Sequence, residues 1–395
     1  MDMAQYFSER QLQDSARECG LVKRRSPITG FKFLLTFTTG LLNTPTGTLA
    51  QLAAFLSSAC ETPVSPQAID ERIGTQAVTF MKQCFDKAVQ LKRKSAGADL
   101  GMLAGFDHVY LIDSTGFDLD PALCKRFKGA GGSGSKSTLR IQLALDYITQ
   151  RIYVKIGDIK LSDAPLLLHL VSGTELDLNG RCLFLSDLGY FKLDTFQTIG
   201  VSDNFFLSKL MHGVKLQAAN GTPLDLMALL KENPDSFSMT VRINGHAYRM
   251  VGQRLPDEKV QQRLRKANRT AADKGQGKSI TDAYRLFLHY AIFITNLPES
   301  YDMDALYVLY RVRWQIELVF KTWKSILSIH AIRSAKFERV MCEVYGKLIL
   351  AILTTHFAVQ PEFDSISTLS LHRTMQWVKA MAMAWACAIV RGESE

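Results

Sequence analysis

Tyr310, Arg313, Glu317 and Lys324 fall in one short segment, Tyr-Arg-Val-Arg-Trp-Gln-Ile-Glu-Leu-Val-Phe-Lys-Thr-Trp-Lys. At about 100° per residue on a helix, the four lie within an arc of roughly 60°. Leu309, Val312, Ile316, Val319, Trp323 and Ile326 take the opposite side, so the spacing predicts one core face and one polar face. The polar face would align a carboxylate, two cations and a phenol. That set suits a metal ion and a phosphodiester backbone lying along the helix. A solvated charged face would carry the same stripe, so this segment alone does not decide its chemistry.

Two acidic motifs upstream change the balance. Asp113 closes the apolar run Leu-Ile-Asp-Ser-Thr, and Asp187 closes Leu-Phe-Leu-Ser-Asp-Leu-Gly-Tyr-Phe. Aspartates that follow strands often serve only to open turns. Carboxylates at the carboxyl ends of neighbouring strands, however, face the crevice where open α/β sheets bind ligands. Two such aspartates with a helix-borne glutamate would form an oxygen cage for Mg²⁺. Paired metals about 4 Å apart suit phosphodiester chemistry.

The elements that would position these residues are legible in the apolar patterning. Residues 1–92 read as helical. Thr46 or Thr48 can cap one helix, and Ser65-Pro66 opens another after a short break. Helix, turn, capped helix is the order of a helix-turn-helix DNA reader, and equally of a small helical bundle. Residues 93–106 read as a linker. From residue 107 the pattern turns to strands, at 108–115, 139–147 and 151–157, with Thr149-Gln150 as a hairpin turn. Helix and strand then alternate: a helix at 163–170, a strand at 182–186, a helix near 192–199 and a strand at 204–207. This order is that of a ribonuclease-H-like mixed sheet. Residues 209–291 interrupt it with β-rich pieces and a basic tract. A strand then resumes at 292–297, and one long helix is expected from Asp302 to Leu327. The remainder reads as mostly helical.

The 395 residues are 47% hydrophobic, with a net charge of +9. This allows sizeable cores and favours an anionic partner. The seven cysteines are scattered and form no Cys-x-x-Cys pair, which points to a reducing compartment and away from a zinc site. The longest apolar stretch, around Leu348 to Val359, contains Thr354, Thr355 and His356 and is too short to span a bilayer. The N-terminus shows no signal-peptide pattern. Neither histidine spacing for a metal nor a Gly-x-Ser-x-Gly motif is present, so zinc-enzyme and serine-hydrolase readings have no support. The Gly-rich stretch 128–137 is not a phosphate-binding loop, because Ser135 separates Gly134 from Lys136 and a strand follows where a helix is needed. It reads as a flexible loop. Residues 254–285 carry nine Lys or Arg against four acids, a net of +5. Within that tract, Arg263, Arg265, Lys266 and Arg269 are candidates for phosphate neutralisation.

The spacing Tyr310-x2-Arg313-x3-Glu317-x6-Lys324 resembles the Tyr-Arg-Glu-Lys signature of the family-four bacterial insertion-sequence transposases, members of the DDE superfamily. Asp113-Ser-Thr and Asp187-Leu-Gly-Tyr-Phe look like that family's first and second acidic motifs. The resemblance spans roughly residues 46–345. It implies a metal-binding catalytic triad of Asp113, Asp187 and Glu317, with Mg²⁺ as cofactor and Mn²⁺ as a substitute. Tyr310, Arg313 and Lys324 would hold phosphates of the transposon end. It also implies a β-rich insertion before the glutamate, dimers on paired inverted repeats, and in many relatives a DNA hairpin. The hairpin-forming relatives use a tryptophan in the insertion. All four tryptophans here lie outside it, leaving Tyr290, Phe293 or Tyr284 as substitutes.

The expected protein is therefore α/β, with a ribonuclease-H-like catalytic domain at 107–345 interrupted by the insertion at 209–291. A helical DNA-binding domain at 1–92 precedes it, and a helical region at 346–395, a candidate dimerisation element, follows. The expected function is cut-and-paste DNA transposition on double-stranded transposon ends and target DNA by a cytoplasmic, nucleoid-associated homodimer, without membrane contact. A stand-alone ribonuclease-H-like nuclease and a non-catalytic regulator derived from a transposase are the alternatives.

Overall fold

In the computed structural model the described residues are 7–44, 47–61, 63–91, 101–273, 280–358 and 371–391. They divide into two units. The first comprises residues 1–98, 114–161 and 316–395, and the second 99–113 and 162–315.

The first unit begins with helices α1 (Glu9–Glu18), α2 (Gly30–Leu35), α3 (Leu41–Asn43), α4 (Leu49–Cys60), α5 (Pro66–Asp70) and α6 (Thr75–Val89). Their starts follow side-chain chemistry. Thr48 caps α4 in a reciprocal pair with Gln51, and Ser65 with Pro66 opens α5. Thr46, the other candidate cap, lies outside the described residues. Between α2 and α3 the helix widens into a π-turn, Thr36–Gly40. The same unit holds α13 (Trp314–Ser325, from residue 316), α14 (Phe337–Ala358) and α15 (Leu371–Arg391). The N-terminal helices and α14 share one core. Phe85 of α6 meets Tyr345 of α14 with ring centroids 5.4 Å apart. A β-carbon on Gly346 would stand 1.9 Å from the Phe37 carbonyl oxygen, so only glycine permits this approach. The sequence suggests a separate N-terminal domain, whereas these helices cluster with the C-terminal ones.

Strands β2 (Thr138–Asp146) and β3 (Ile152–Gly157) pair antiparallel through a turn in which Gln150 takes φ 58°. The Gly-rich stretch is closed by backbone bonds, Gly129 to Lys136 at 3.0 Å and Gly131 to Ser135 at 3.2 Å.

The second unit is built on β4 (Cys182–Ser186), β5 (Phe205–Lys209), β6 (Gln217–Ala218), β7 (Ser236–Ile243), β8 (His246–Arg254) and β9 (Tyr290–Thr295). Strand β1 (His108–Asp118) contributes its first half here and its second half to the first unit. The hydrogen-bonded order is β3-β2-β1-β4-β5-β9-β8-β7-β6, with β1, β4 and β5 parallel and with β2–β3, β5–β9, β9–β8, β8–β7 and β7–β6 antiparallel. All five residues of β4 are buried, as expected of a parallel strand covered on both faces. The helices of this unit are α7 (Asp163–Ser172), α8 (Leu193–Val201), α9 (Leu226–Glu232), α10 (Asp257–Asp273), α11 (Asp282–Phe287) and α12 (Met303–Val312).

The insertion does not form a separate lobe of strands. β8 pairs with β9 over Arg249–Arg254, and β7 joins β8 through a two-residue Asn244-Gly245 turn with both φ positive. Its strands thus extend the sheet. Among the described residues no helix is long and apolar enough to cross a membrane.

Candidate active site

In the second unit, β1 and β4 run parallel with His108 opposite Cys182 and Ile112 opposite Ser186. Asp113 and Asp187 are the next residue on each strand, and parallel neighbours lie about 4.8 Å apart. The two acidic motifs therefore leave the shared ladder at the same level. Asp187 ends β4 as expected and precedes a single 3₁₀ turn, Leu188–Tyr190. Asp113 does not end its strand. β1 continues to Asp118, and only its pairing with β4 stops at Ile112.

Helix α12 addresses both strand ends. It starts on Asp302, whose side chain accepts from the Ala305 amide at 2.8 Å. At its other end, the Tyr310 hydroxyl donates to the Ser186 carbonyl at 3.3 Å. The Tyr310 ring lies 5.0 Å from that of Phe293, with the Lys209 ammonium 5.1 Å from its centroid. One turn on, Nη1 of Arg313 stands 3.7 Å from Oδ2 of Asp113. Tyr310 and Arg313 are each 7% exposed.

This corrects the expectation of one long helix with all four signature residues on its exposed face. The helix breaks at Arg313, whose amide turns back to the Tyr310 carbonyl at 3.2 Å, and α13 starts anew at Trp314. No Gly or Pro marks the break. Tyr310 and Arg313 instead reach inward to the strand ends.

In the first unit, α13 buries Ile316, Val319, Phe320 and Trp323. Glu317, Lys321 and Lys324 recur at the spacing of one helix face. They line a cavity of about 580 Å³ together with Ser114, Thr115 and His330. Ser114, the residue after Asp113, is held by Arg140 of β2, whose Nη2 donates to its Oγ at 2.8 Å. No motif in the sequence marks Lys321, Arg140 or His330. Lys321, four residues past Glu317, was open to helical spacing. Arg140 sits in an ordinary strand, and His330 in a loop without a motif.

The unit boundaries fall within both motifs. Asp113, Asp187, Tyr310 and Arg313 belong to one unit, and Glu317 and Lys324 to the other. Among the described residues no group of three His, Cys, Asp or Glu side chains could hold a metal ion. Asp113 and Asp187 each follow the last paired residue of the β1–β4 ladder.

The basic tract is helix α10. Arg265, Lys266 and Arg269 are exposed on it. Arg263 turns back instead, donating to the Tyr290 carbonyl at 2.8 Å, and its burial lowers the guanidinium pKa. Lys274 and Lys278 lie outside the described residues. Tyr290 and Phe293 are each 4% exposed in β9, so neither is presented for stacking on a base. Tyr284 is half-buried beside His212 and Phe287.

The family described as the transposase DDE domain matches residues 104–353. The transposase for insertion sequence element IS231B of Bacillus thuringiensis subsp. berliner is 27% identical over 378 residues, covering 88% of this chain and 77% of the relative. The transposase for IS1151 of Clostridium perfringens is 26% identical over 385 residues, covering 88% and 78%. In structure, the chain is similar to the piggyBac transposase in its synaptic complex with hairpin DNA, at a TM-score of 0.50 and 11% identity over 99% of this chain and 81% of that one. That likeness concerns the fold. With the family matched across most of the chain and both acidic motifs just past the β1–β4 ladder, this protein belongs to the transposase DDE domain family and is a DNA transposase of the insertion-sequence type.

Proposed function

We propose that the chain carries out cut-and-paste transposition, with Asp113, Asp187 and Glu317 as the carboxylates of a divalent-metal site on a ribonuclease-H-like scaffold. The observation that supports the reading is the register of β1 and β4, in which Ile112 stands opposite Ser186, each one residue before its aspartate. Asp113 and Asp187 offer carboxylate oxygens, the donor type that Mg²⁺, a hard cation, takes. Glu317, in the cavity with Lys321 and Lys324, would be the third carboxylate. When bound, the metal supplies the charge that activates an attacking oxygen and stabilises a leaving one.

The chain's own groups do the rest. Arg313 offsets the charge of Asp113 and fixes its place. Tyr310 ties the helix to the end of β4. Lys321 and Lys324 give the Glu317 cavity a net positive lining that suits backbone phosphates. Exposed Arg265, Lys266 and Arg269 add a second basic surface. The partners are the terminal inverted repeats and a target duplex. Two ends brought together call for a homodimer, acting in the cytoplasm at the nucleoid.

The test is cleavage and joining with a duplex carrying the element's terminal repeat. Wild-type protein should cleave with Mg²⁺ or Mn²⁺, and should stop when EDTA removes the metal. Asp113→Asn, Asp187→Asn and Glu317→Gln should each abolish cleavage while gel-shift binding stays nearly intact. Equal loss of binding would make these residues structural. Cleavage without joining to a target would leave a nuclease.

A further inference from the structure

We propose, on the strength of the cleavage reading above, that His330 is a DNA-backbone contact of the Glu317 cavity and that the buried Lys347 is the residue that positions it. His330 lines that cavity with Glu317, Lys321 and Lys324 and is exposed. An imidazole N–H can serve a phosphate oxygen whether or not the ring is charged.

The loop that presents it is built to one shape. After α13, the Ile329 amide reaches back to the Trp323 carbonyl at 3.1 Å, and the Ala331 amide bonds to the Ser328 carbonyl at 2.8 Å. Ser328 takes φ 48°, a left-handed conformation that a β-carbon disfavours. Ile329 is fully buried at 0% exposure, which anchors the turn one residue before His330.

Lys347 closes the arrangement from α14. It is 2% exposed, and its Nζ donates to the Ser328 carbonyl at 2.8 Å and the Ala331 carbonyl at 3.5 Å. Those two carbonyls bracket Ile329 and His330. Burying an ammonium is costly, and a methionine of similar volume would fill the space without that cost. The charge is offset in part by Glu343 on the same helix, which Arg339 also contacts at 2.9 Å. What the ammonium supplies, and an apolar side chain cannot, is a pair of hydrogen bonds to the loop carrying His330.

Single-turnover cleavage of the terminal-repeat duplex by the full chain with Mg²⁺, at varied protein concentration, separates half-saturation from plateau rate. His330→Ala should raise the half-saturating concentration roughly ten- to a hundredfold, the value of one hydrogen bond to a charged group, and leave the plateau rate within about twofold. His330→Gln, which keeps a donor, should recover most of the loss. Lys347→Met should reproduce the rise, and the double variant should be no worse than either single one, because both act through one contact. If Lys347→Met does not fold, Ala331→Pro, which deletes the amide bond to Ser328, takes its place with the same expectation. An unchanged half-saturation in His330→Ala, with Glu317→Gln inactive, would overturn this inference and leave the cleavage reading standing. Effects that multiply in the double variant would overturn the role of Lys347. A wild-type chain that does not cleave would take down both readings.

Discussion

Arg313 faces Asp113 across 3.7 Å, the cation coming from a helix end and the carboxylate from the point where β1 parts from β4. The Arg313 side chain is 9% exposed and that of Asp113 21%. A carboxylate so placed has a fixed counter-charge before any DNA arrives. One of the four signature residues is thus paired with an acidic one.

Arg313→Ala should destabilise the chain by about 1–3 kcal/mol, since it strips a partner from a largely buried carboxylate. Arg313→Lys should recover only part, because a point charge replaces a planar fork. Thermal unfolding alongside gel-shift binding checks this. An unchanged melting temperature with end binding lost would return Arg313 to the phosphate-holding role that its sequence position suggested.

Tyr310→Phe removes a single hydroxyl, the donor to the Ser186 carbonyl. The expected cost is about 0.5–1.5 kcal/mol, with cleavage reduced because the strand end bearing Asp187 is less firmly held. DNA affinity should stay as it was. A weakened affinity with unchanged stability would mean that the phenol acts on phosphate.

Within α10, neighbouring arginines should behave differently. Replacing Arg265, Lys266 and Arg269 together with Ala should lower the salt slope of DNA binding by roughly three contacts and leave folding intact. Arg263→Ala should instead lower the melting temperature with the slope unchanged, because its guanidinium is spent on the Tyr290 carbonyl. The opposite pattern would show that Arg263 leaves the sheet to meet DNA.

Lys347 gives a pH dependence of known sign. Burial pushes its pKa down from 10.5 to about 8. Between those values the unfolded chain holds a proton that the folded chain has released, so stability from this group rises with pH. Below pH 8 both states are charged and the full penalty of burial applies. Burial also raises the Tyr248, Tyr290 and Tyr345 hydroxyls, which pull the other way at high pH, so the readout is wild type minus Lys347→Met. That difference should move in favour of wild type by up to about 3 kcal/mol as pH climbs from 8 to 10.5. A flat difference would mean that the carbonyls of Ser328 and Ala331 keep the amine protonated.

Much of the scaffold was legible in the sequence because short apolar runs leave few options. Leu111-Ile112 before Asp113 and the five residues of β4 before Asp187 could bury only as strands. Thr48 and Ser65 announce their helices through cap chemistry. The break at Arg313 was not legible, since apolar periodicity continues across it and no Gly or Pro interrupts. Arg263 looked like its basic neighbours, because nothing local says that one of them turns back to the Tyr290 carbonyl. Lys347 was hidden for the converse reason. A lysine within an apolar helix reads as exposed until the loop that needs its hydrogen bonds is in view. The pairing of Phe85 with Tyr345 joins residues too far apart for periodicity to report.

The order of synthesis follows from how the units are threaded. The second unit is complete once residue 315 has been made, whereas the first begins at the N-terminus and lacks α14 until residues 337–358 emerge. At about 5–20 residues per second, α6 and the Phe37 turn wait roughly 10–50 s for the helix whose Gly346 fits against them. For that interval Phe85 lacks Tyr345, its ring partner, and the Phe37 turn lacks Gly346. An mRNA truncated before the α14 codons would leave them so permanently, a natural mark for chaperones and proteases.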